Sequence, residues 1–207
     1  MRIIKGAGDV AEGADWLAEN HRYFAQILPE ISPLPLRLRP DGFGQLLGAI
    51  MGQQVSRASA AAIIAKLEAA GFLDEAAVAD ASEDELRACG LSRQKIRYAH
   101  ELARARIDYA ALRQTDSAAV VKTLTAVPGI GAWTAEIYAM FSLGHADVFA
   151  PGDLALQIAA QDMLGLEARP NEKQLRAIAQ DWSPWRSVAA RALFAYYRVI
   201  KGREGLA

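Results

Sequence analysis

The amino-acid sequence predicts an all-α protein. Apolar residues recur at helical spacing along almost the whole chain of 207 residues, and residues that favour helix N-termini precede most of these apolar runs. No segment shows the strict alternation of apolar and polar residues that is typical of a half-buried β-strand. The links between the runs are short, and we expect eight to ten helices without internal repeats or long linkers.

The first half of the chain is predicted to form five helices. Residues 14–28 place their apolar side chains along one helical face, and the four prolines at positions 29 to 40 then predict an extended connector. The second helix covers residues 43–53. Three serines can act as N-caps of the next helices: Ser56, Ser82 and Ser92. Glycines end the first two of these, and the third continues to about Ile107.

The second half carries a start signal for each further helix. Asp116 or Ser117 can cap the next helix, which reaches a glycine-rich turn and then resumes. Asp153 stands at the N-cap position of another helix, and Asn171 begins a capping box ahead of the following one. The pair Ser183-Pro184 is expected to open a long last helix, because proline is well tolerated in a first helical turn.

Composition excludes several classes of protein. The formal net charge of −1 argues against a strongly basic nucleic-acid coat, although backbone N–H groups can hold phosphates without side-chain charge. No apolar run is long enough to span a membrane, and the first residues lack the features of a secretory signal. The single cysteine, Cys89, fits a reducing compartment, so we expect a cytoplasmic protein. The three histidines of the chain are not spaced in the way that is typical of metal ligands.

The most specific segment is residues 121–143, VKTLTAVPGIGAWTAEIYAMFSL. It predicts two helices joined by a tight turn in which Gly129 and Gly131 flank the apolar Ile130. Glycine allows a positive φ and removes side chains that would keep another molecule's backbone away. Successive N–H groups that lead into a helix N-terminus can bind an anion such as a phosphate. Judged on its glycines alone, the turn would be interpreted as an ordinary link between helices.

The wider pattern L-x-x-V-P-G-I-G-x-W-T-A resembles the helix-hairpin-helix of the DNA glycosylase superfamily. The resemblance continues upstream in AIMGQQVSRASA and downstream in DVFAPGDLAL and WSPWRSVAARAL, so that it covers about residues 40 to 205. Within the superfamily, the chain resembles the DNA-3-methyladenine glycosylase II (AlkA-like) family. The resemblance implies a two-lobed bundle: residues 42–145 carry the hairpin, residues 1–41 plus 146–207 form the second lobe, and the active-site cleft lies between them.

By this resemblance the chain excises alkylated purines such as 3-methyladenine from DNA and leaves an abasic site. Asp153, which by itself would read as an ordinary N-cap, matches the catalytic aspartate of the superfamily. A fixed carboxylate can stabilise the positive charge that develops on the sugar, or activate the attacking water. Bifunctional relatives carry a lysine where this sequence has Trp133, and tryptophan cannot form a Schiff base. We therefore expect a monofunctional enzyme.

The resemblance also implies the remaining site residues. The expected base pocket is formed by Trp133, Gln53, Phe194 and Tyr138. The expected DNA-binding residues are Gln54, which would fill the gap left by the flipped nucleotide, Gly129, Ile130, Gly131, Thr134 and Arg57. The main-chain carbonyls of Thr125, Val127 and Ile130 are expected to hold a structural Na⁺ or K⁺ when DNA is bound, and no cofactor is expected for the chemistry.

The expected partner is damaged double-stranded DNA, without a membrane or an obligate protein partner, and the chain is expected to be a monomer. Two alternatives stay open. The first is a DNA-structure-binding protein that kept the hairpin without catalysis, against which Asp153 and Trp133 argue. The second is a bifunctional glycosylase/lyase, against which the missing lysine argues.

Overall fold

The computed structural model describes residues 1–204 and confirms the all-α prediction. These residues form thirteen α-helices and one short 3-10 helix, and their only β-type pairing is an isolated bridge between Ile3 and His145. None of the described helices is long and apolar enough to cross a membrane.

The helices follow one another closely along the chain. The α-helices are α1 (Ala7–Asn20), α2 (Arg22–Ile31), α3 (Phe43–Met51), α4 (Arg57–Ala69), α5 (Glu75–Asp80), α6 (Glu83–Ala88), α7 (Arg93–Arg104), α8 (Tyr109–Gln114), α9 (Ser117–Thr125), α10 (Ala132–Phe141), α11 (Leu154–Leu164), α12 (Glu172–Ile178) and α13 (Arg186–Glu204). The 3-10 helix, Ala179–Trp182, lies between the last two.

The predicted N-caps are confirmed. In each case the capping side chain accepts a hydrogen bond from a backbone N–H in the first turn, which satisfies donors that have no partner inside the helix. These residues are Ser56, Ser82, Ser92, Asp116, Asp153 and Asn171. The choice left open between Asp116 and Ser117 is decided for Asp116, whose carboxylate accepts from two N–H groups.

The prediction of one helix over residues 14–28 is wrong. The chain is extended at His21, which ends α1 and begins α2. The backbone N–H of His21 still donates to the carbonyl of Leu17 at 2.9 Å, and its carbonyl accepts from the N–H of Phe24 at 2.9 Å, so one residue serves both helix ends. Pro29 does not end α2, because a proline in the last turn removes only one intrahelical hydrogen bond.

The expected eight to ten helices are too few. Besides the break at His21, the structure contains α5 and α8, each six residues long and capped by an aspartate, Asp74 or Asp108. Each buries a single apolar side chain, so neither shows the repeated apolar spacing on which helix prediction depends. The helix predicted to reach Ile107 ends at Arg104, and the last helix begins at Arg186, after the predicted Ser183-Pro184 start.

The chain divides into two compact units. One combines Met1–Leu38 with the chain from Ala139 onward, and the other is Arg39–Tyr138. The core of the first includes Leu17, Phe24 and Leu193, and that of the second includes Leu47 and Leu102. The predicted lobes and the cleft between them stay predictions, and residues 205–207 of the second lobe lie outside the described part of the chain.

Candidate functional site

The hairpin turn between α9 and α10 is a short run of backbone hydrogen bonds. The N–H of Val127 donates to the carbonyl of Leu124, and the N–H of Ile130 donates to the carbonyl of Val127, both at 3.1 Å. Gly129 has a φ of +95°, a region that other residues rarely adopt. A Cβ there would also lie 2.6 Å from the ring of Tyr98 on α7. Both backbone geometry and packing therefore require glycine at position 129.

Gly131 has a different reason to be glycine. It does not adopt a positive φ, it is exposed, and a Cβ built on it would meet no atom within 4 Å. Ile130 beside it is buried and anchors the turn. The turn therefore presents bare backbone to solvent directly before α10 begins at Ala132. Such a surface lets a phosphate approach the N–H groups of a helix N-terminus.

The loop after α3 is tied to this turn. The side-chain amide of Gln53 donates to the carbonyl of Gly129 at 2.9 Å, and the ammonium of Lys95 donates to the carbonyl of Met51 at 2.6 Å. Burial lowers the pKa of Lys95. Directly after these two anchored residues, Gln54 is exposed and has a φ of +56°, which is unfavourable for a residue with a Cβ. The predicted DNA-contacting residue therefore lies in a strained loop held against the hairpin.

Two adjacent predicted site residues on α10 differ in exposure. Trp133 is 47% exposed, so it is a surface tryptophan and not part of a core. Thr134 is buried, and only Trp133 of this adjacent pair is accessible from solvent.

Tyr138 lies in the interior. Its hydroxyl donates to the carboxylate of Asp41 and accepts from the N–H of Gly42 at 2.9 Å. The guanidinium of Arg113 also donates to Asp41, at 2.6 Å. Burial, and next the hydrogen bond to Asp41, raise the pKa of Tyr138 above its ordinary range. Tyr138 thus fixes the start of α3 against α10, a role that the sequence did not indicate.

Asp153 is a half-buried N-cap at the start of α11. Its Oδ1 accepts from the N–H groups of Ala155 at 2.9 Å and Leu156 at 3.3 Å. The amide of Gln157 donates to the carbonyl of Pro151 at 2.8 Å and supports the turn that leads into the helix. The N-terminus of a helix favours a negative charge at this position. The two hydrogen bonds from the first turn of α11 hold the carboxylate in one orientation, as electrostatic catalysis requires.

Phe194 lies on α13 beneath a cation. The guanidinium carbon of Arg37 is 5.5 Å from the centre of its ring, and the centres of the Phe194 and Phe141 rings are 6.3 Å apart. Nearby Arg191 is fully buried and donates to the carbonyls of Leu36 at 3.1 Å and Ser187 at 2.9 Å. Burial, and next the charge of Arg37, lower the pKa of Arg191 to about 10. No role was predicted for either arginine: Arg37 lies outside the segments that carry the family resemblance, and Arg191 lies in WSPWRSVAARAL without an expected function.

The remaining predicted site residues are Arg57 and the three hairpin residues expected to hold a cation. Arg57 is exposed in the first turn of α4. The carbonyls of Thr125, Val127 and Ile130 are neutral oxygen donors close together in sequence, which suits a hard monovalent cation; the carbonyl of Val127 already accepts one hydrogen bond. The described residues contain no cluster of histidine, cysteine and acidic side chains that could hold a metal ion. The cation site stays a prediction.

Comparison with known proteins agrees with the fold and the motif. Residues 47–184 match the HhH-GPD superfamily of base excision DNA repair proteins. The chain is 32% identical to DNA-3-methyladenine glycosylase 2 of Escherichia coli, over 72% of this chain and 55% of that protein. It is 22% identical to the alkylbase DNA glycosidase-like protein mag2 of Schizosaccharomyces pombe, over 81% of this chain and 84% of that one.

A solved structure is similar along nearly the whole chain. The crystal structure of a DNA-3-methyladenine glycosidase from Bacillus halodurans has a TM-score of 0.82 and 30% sequence identity, and the match covers 98% of this chain and 95% of that one. The family match includes α10 with its hairpin turn and the start of α11 with Asp153. The chain belongs to the HhH-GPD superfamily of base excision DNA repair proteins.

Proposed function

We propose that this chain is a monofunctional DNA glycosylase that removes alkylated purines such as 3-methyladenine from double-stranded DNA. It hydrolyses the N-glycosidic bond and leaves an abasic site for base excision repair. The observation that carries the proposal is the carboxylate of Asp153, held at the N-terminus of α11 in a chain whose hairpin presents bare backbone. The names of the Escherichia coli and Bacillus halodurans relatives support the choice of substrate.

Asp153 acts on the charge that develops during bond cleavage. As the base leaves, positive charge builds on the sugar, and a preorganised carboxylate stabilises that transition state more than the ground state. An alkylated purine is already a good leaving group, so the reaction needs no strong general acid. Asp153 can also orient the attacking water, but we assign electrostatic stabilisation as its main role.

Trp133 determines the type of glycosylase. The amine that forms a Schiff base with the sugar in a bifunctional enzyme is replaced here by an indole ring, which has no nucleophilic nitrogen of that kind. The exposed face of Trp133 is instead suited to stack on a flipped base, and electron-rich aromatic rings attract cationic alkylated purines. Phe194 is proposed as a further aromatic surface.

The hairpin holds the DNA by its backbone. The N–H groups around Gly129 and Gly131 bind a phosphate and read no base, and Gln54 enters the duplex at the flipped nucleotide. A Na⁺ or K⁺ at the carbonyls of Thr125, Val127 and Ile130 would add charge at the same phosphate. For Gln53 and Tyr138 the hydrogen bonds favour a positioning role: they hold α3 and the hairpin together.

The proposal is tested with Asp153→Asn on a duplex that carries randomly N-methylated bases, with released free bases quantified. Asparagine caps a helix as well as aspartate does, so the substitution removes charge and leaves the cap. We expect wild type to release methylated purines and the variant to lose a factor of about 10² to 10³ in rate while DNA binding persists. Asp108→Asn is the control, since Asp108 is also a helix N-cap, of α8, and accepts from one N–H group there; it should keep full activity.

Three outcomes would contradict parts of the proposal. Full activity of Asp153→Asn would remove Asp153 from the chemistry. Binding without base release by wild type, on methylated and deaminated substrates alike, would favour the DNA-structure-binding alternative. A covalent protein–DNA adduct trapped with borohydride in the same reactions would show a Schiff base and exclude the monofunctional mechanism.

A further inference from the structure

We propose that the exposed face of α7 is a second phosphate-binding surface, which contacts the DNA backbone beyond the hairpin. The proposal rests on the proposed function, in that it takes DNA as the substrate, and it assigns to α7 a role that the hairpin does not fulfil. The surface is defined by Arg93, Arg97 and Arg104 and is called the arginine stripe below.

The three arginines lie on one side of the helix. They are four and seven positions apart, so their side chains project from the same face of an α-helix. All three are exposed, whereas Ile96, Ala99 and Leu102 on the opposite face are buried. At a rise of about 1.5 Å per residue the stripe is roughly 16 Å long, enough to follow several consecutive phosphates of one DNA strand.

No ion pair among residues 1–204 involves an arginine of the stripe. Many arginines of this chain lie within ion-pair distance of a carboxylate: Arg2, Arg87, Arg113, Arg176, Arg186 and Arg203. In the described part of the chain, none of the three stripe arginines makes such a pair. Arg97 lies over the ring of Tyr98, with its guanidinium carbon 5.5 Å from the ring centre. The stripe therefore keeps its positive charge available to a partner.

The stripe borders a groove of about 690 Å³. Two acids also line this groove, Glu83 and Glu101, together with His100. Glu83 lies 3.5 Å from Arg87, which offsets its charge. Helix α7 contains four basic residues (Lys and Arg) and one acidic residue, whereas the protein as a whole has a net charge of −1. This concentration of positive charge on one helix is complementary to a polyanion.

The stripe is continuous with the hairpin. Tyr98, on the same helix, packs directly against Gly129 of the turn, and the amide of Gln94 donates to the Tyr98 hydroxyl at 2.7 Å. Gln94 and Tyr98 also line a pocket of about 280 Å³ whose wall includes the Gln53–Gln54 loop. A DNA backbone that is bound at the turn can therefore continue onto α7, and this continuity selects DNA over an unrelated acidic partner.

The test is the triple variant Arg93→Gln, Arg97→Gln, Arg104→Gln. Affinity for a duplex with a non-cleavable abasic analogue is measured by fluorescence anisotropy at several salt concentrations. We expect binding to weaken at least tenfold and the slope of log K against log salt to become shallower by about 2 to 3, since each phosphate contact contributes roughly 0.9. Base release at limiting DNA should fall together with the affinity, so that the loss lies in kcat/KM. The triple lysine variant should restore the slope, because phosphate neutralisation needs charge and not a guanidinium.

The charge-matched control replaces three exposed cations of the other unit, Lys5, Arg169 and Lys173, by glutamine. If this control weakens binding as much as the stripe variant does, only net charge matters and the proposal is overturned. It is also overturned if the stripe variant keeps wild-type affinity and slope. Base release by wild type is measured separately in the same preparations, so failure of the proposed function is distinguishable: wild type would then release no base, whatever the affinity of the variants.

Discussion

Two single residues of the candidate site, Gly129 and Gln54, adopt a left-handed backbone conformation for different reasons. Gly129 adopts a φ of +95° as a glycine with the Tyr98 ring against its Cα, whereas Gln54 adopts a φ of +56° although it has a side chain. A residue in the left-handed region with a Cβ costs about 1–2 kcal/mol. At Gln54 the strained backbone leaves a long polar side chain exposed to solvent. There it is accessible for the proposed contact with DNA.

The two glycines of the turn are predicted to respond differently to alanine. Gly129→Ala should destabilise the protein by about 2–4 kcal/mol, because it combines the left-handed cost with overlap against the Tyr98 ring. Gly131→Ala should change the free energy of unfolding by less than about 1 kcal/mol, because its methyl group meets open space. It should nevertheless weaken DNA binding. Urea denaturation and anisotropy separate the two effects, and equal stability losses would contradict the packing at Gly129.

Helix α3 is held against the hairpin at both ends. At its start, Asp41 and Gly42 bond to Tyr138 of α10, and at its end Gln53 bonds to Gly129 of the turn. The helix is nine residues long, so these anchors restrain nearly its whole length and determine where Gln54 lies. The position of α3 against the hairpin therefore depends on hydrogen bonds at both of its ends and not on any single site residue.

Gln53→Met tests this positioning role. Methionine has a similar length and lacks the amide donor, so the loop loses its bond to Gly129 and the Gln54 side chain loses its fixed location. We expect excision of a fully paired lesion to fall about tenfold or more, with a much smaller loss for the same lesion in an unpaired bulge, where little flipping energy is needed. An equal loss on both substrates would instead place Gln53 at the base itself.

At the scale of the whole molecule, charge pairing and aromatic packing support the unit that contains Asp153. Trp182 packs edge-on against Phe24 and Phe149, with ring centres 5.4 Å and 5.3 Å apart. Arg186 at the start of α13 donates two hydrogen bonds to the carboxylate of Asp147, at 2.5 Å and 3.0 Å. Burial opposes ionisation of Asp147, but the hydrogen bonds from Arg186 and Ser183 and the charge of Arg186 outweigh it and lower its pKa.

The Asp147 pair predicts a dependence of stability on pH. Because the pKa of Asp147 is lower in the folded protein than in the unfolded chain, its contribution is fully present above the unfolded value of about 3.9. It is lost as the pH falls through the folded pKa. Asp147→Asn should therefore be less stable than wild type by about 1–3 kcal/mol at pH 7. Tryptophan fluorescence during urea unfolding should show this difference shrinking below pH 4; a constant difference down to pH 2 would exclude the linkage.

Local interactions explain what could be predicted from the sequence. A cap, a capping box and an apolar stripe each involve residues within about four positions of one another, so the starts at Ser56, Ser82, Asp153 and Asn171 could be read directly. Two helices joined by a tight turn could also be predicted at residues 121–143, because the turn contains glycines and the flanking helices have apolar residues at fixed spacing. The all-α fold follows from these local patterns, whereas the superfamily was predicted from the resemblance of the wider hairpin pattern to a known family.

Contacts between distant residues were decided only by the tertiary structure. Gln53 and Gly129 are 76 positions apart and Tyr138 and Asp41 are 97 apart, and no local pattern announces either pair. The same holds for the ring of Tyr98 on Gly129 and for Arg37 above Phe194. Such pairs depend on how the helices pack, which is determined by burial of their apolar faces together. The sequence by itself therefore determined the all-α class, most of the helix starts and the hairpin, and packing decided which residues face solvent and which face one another.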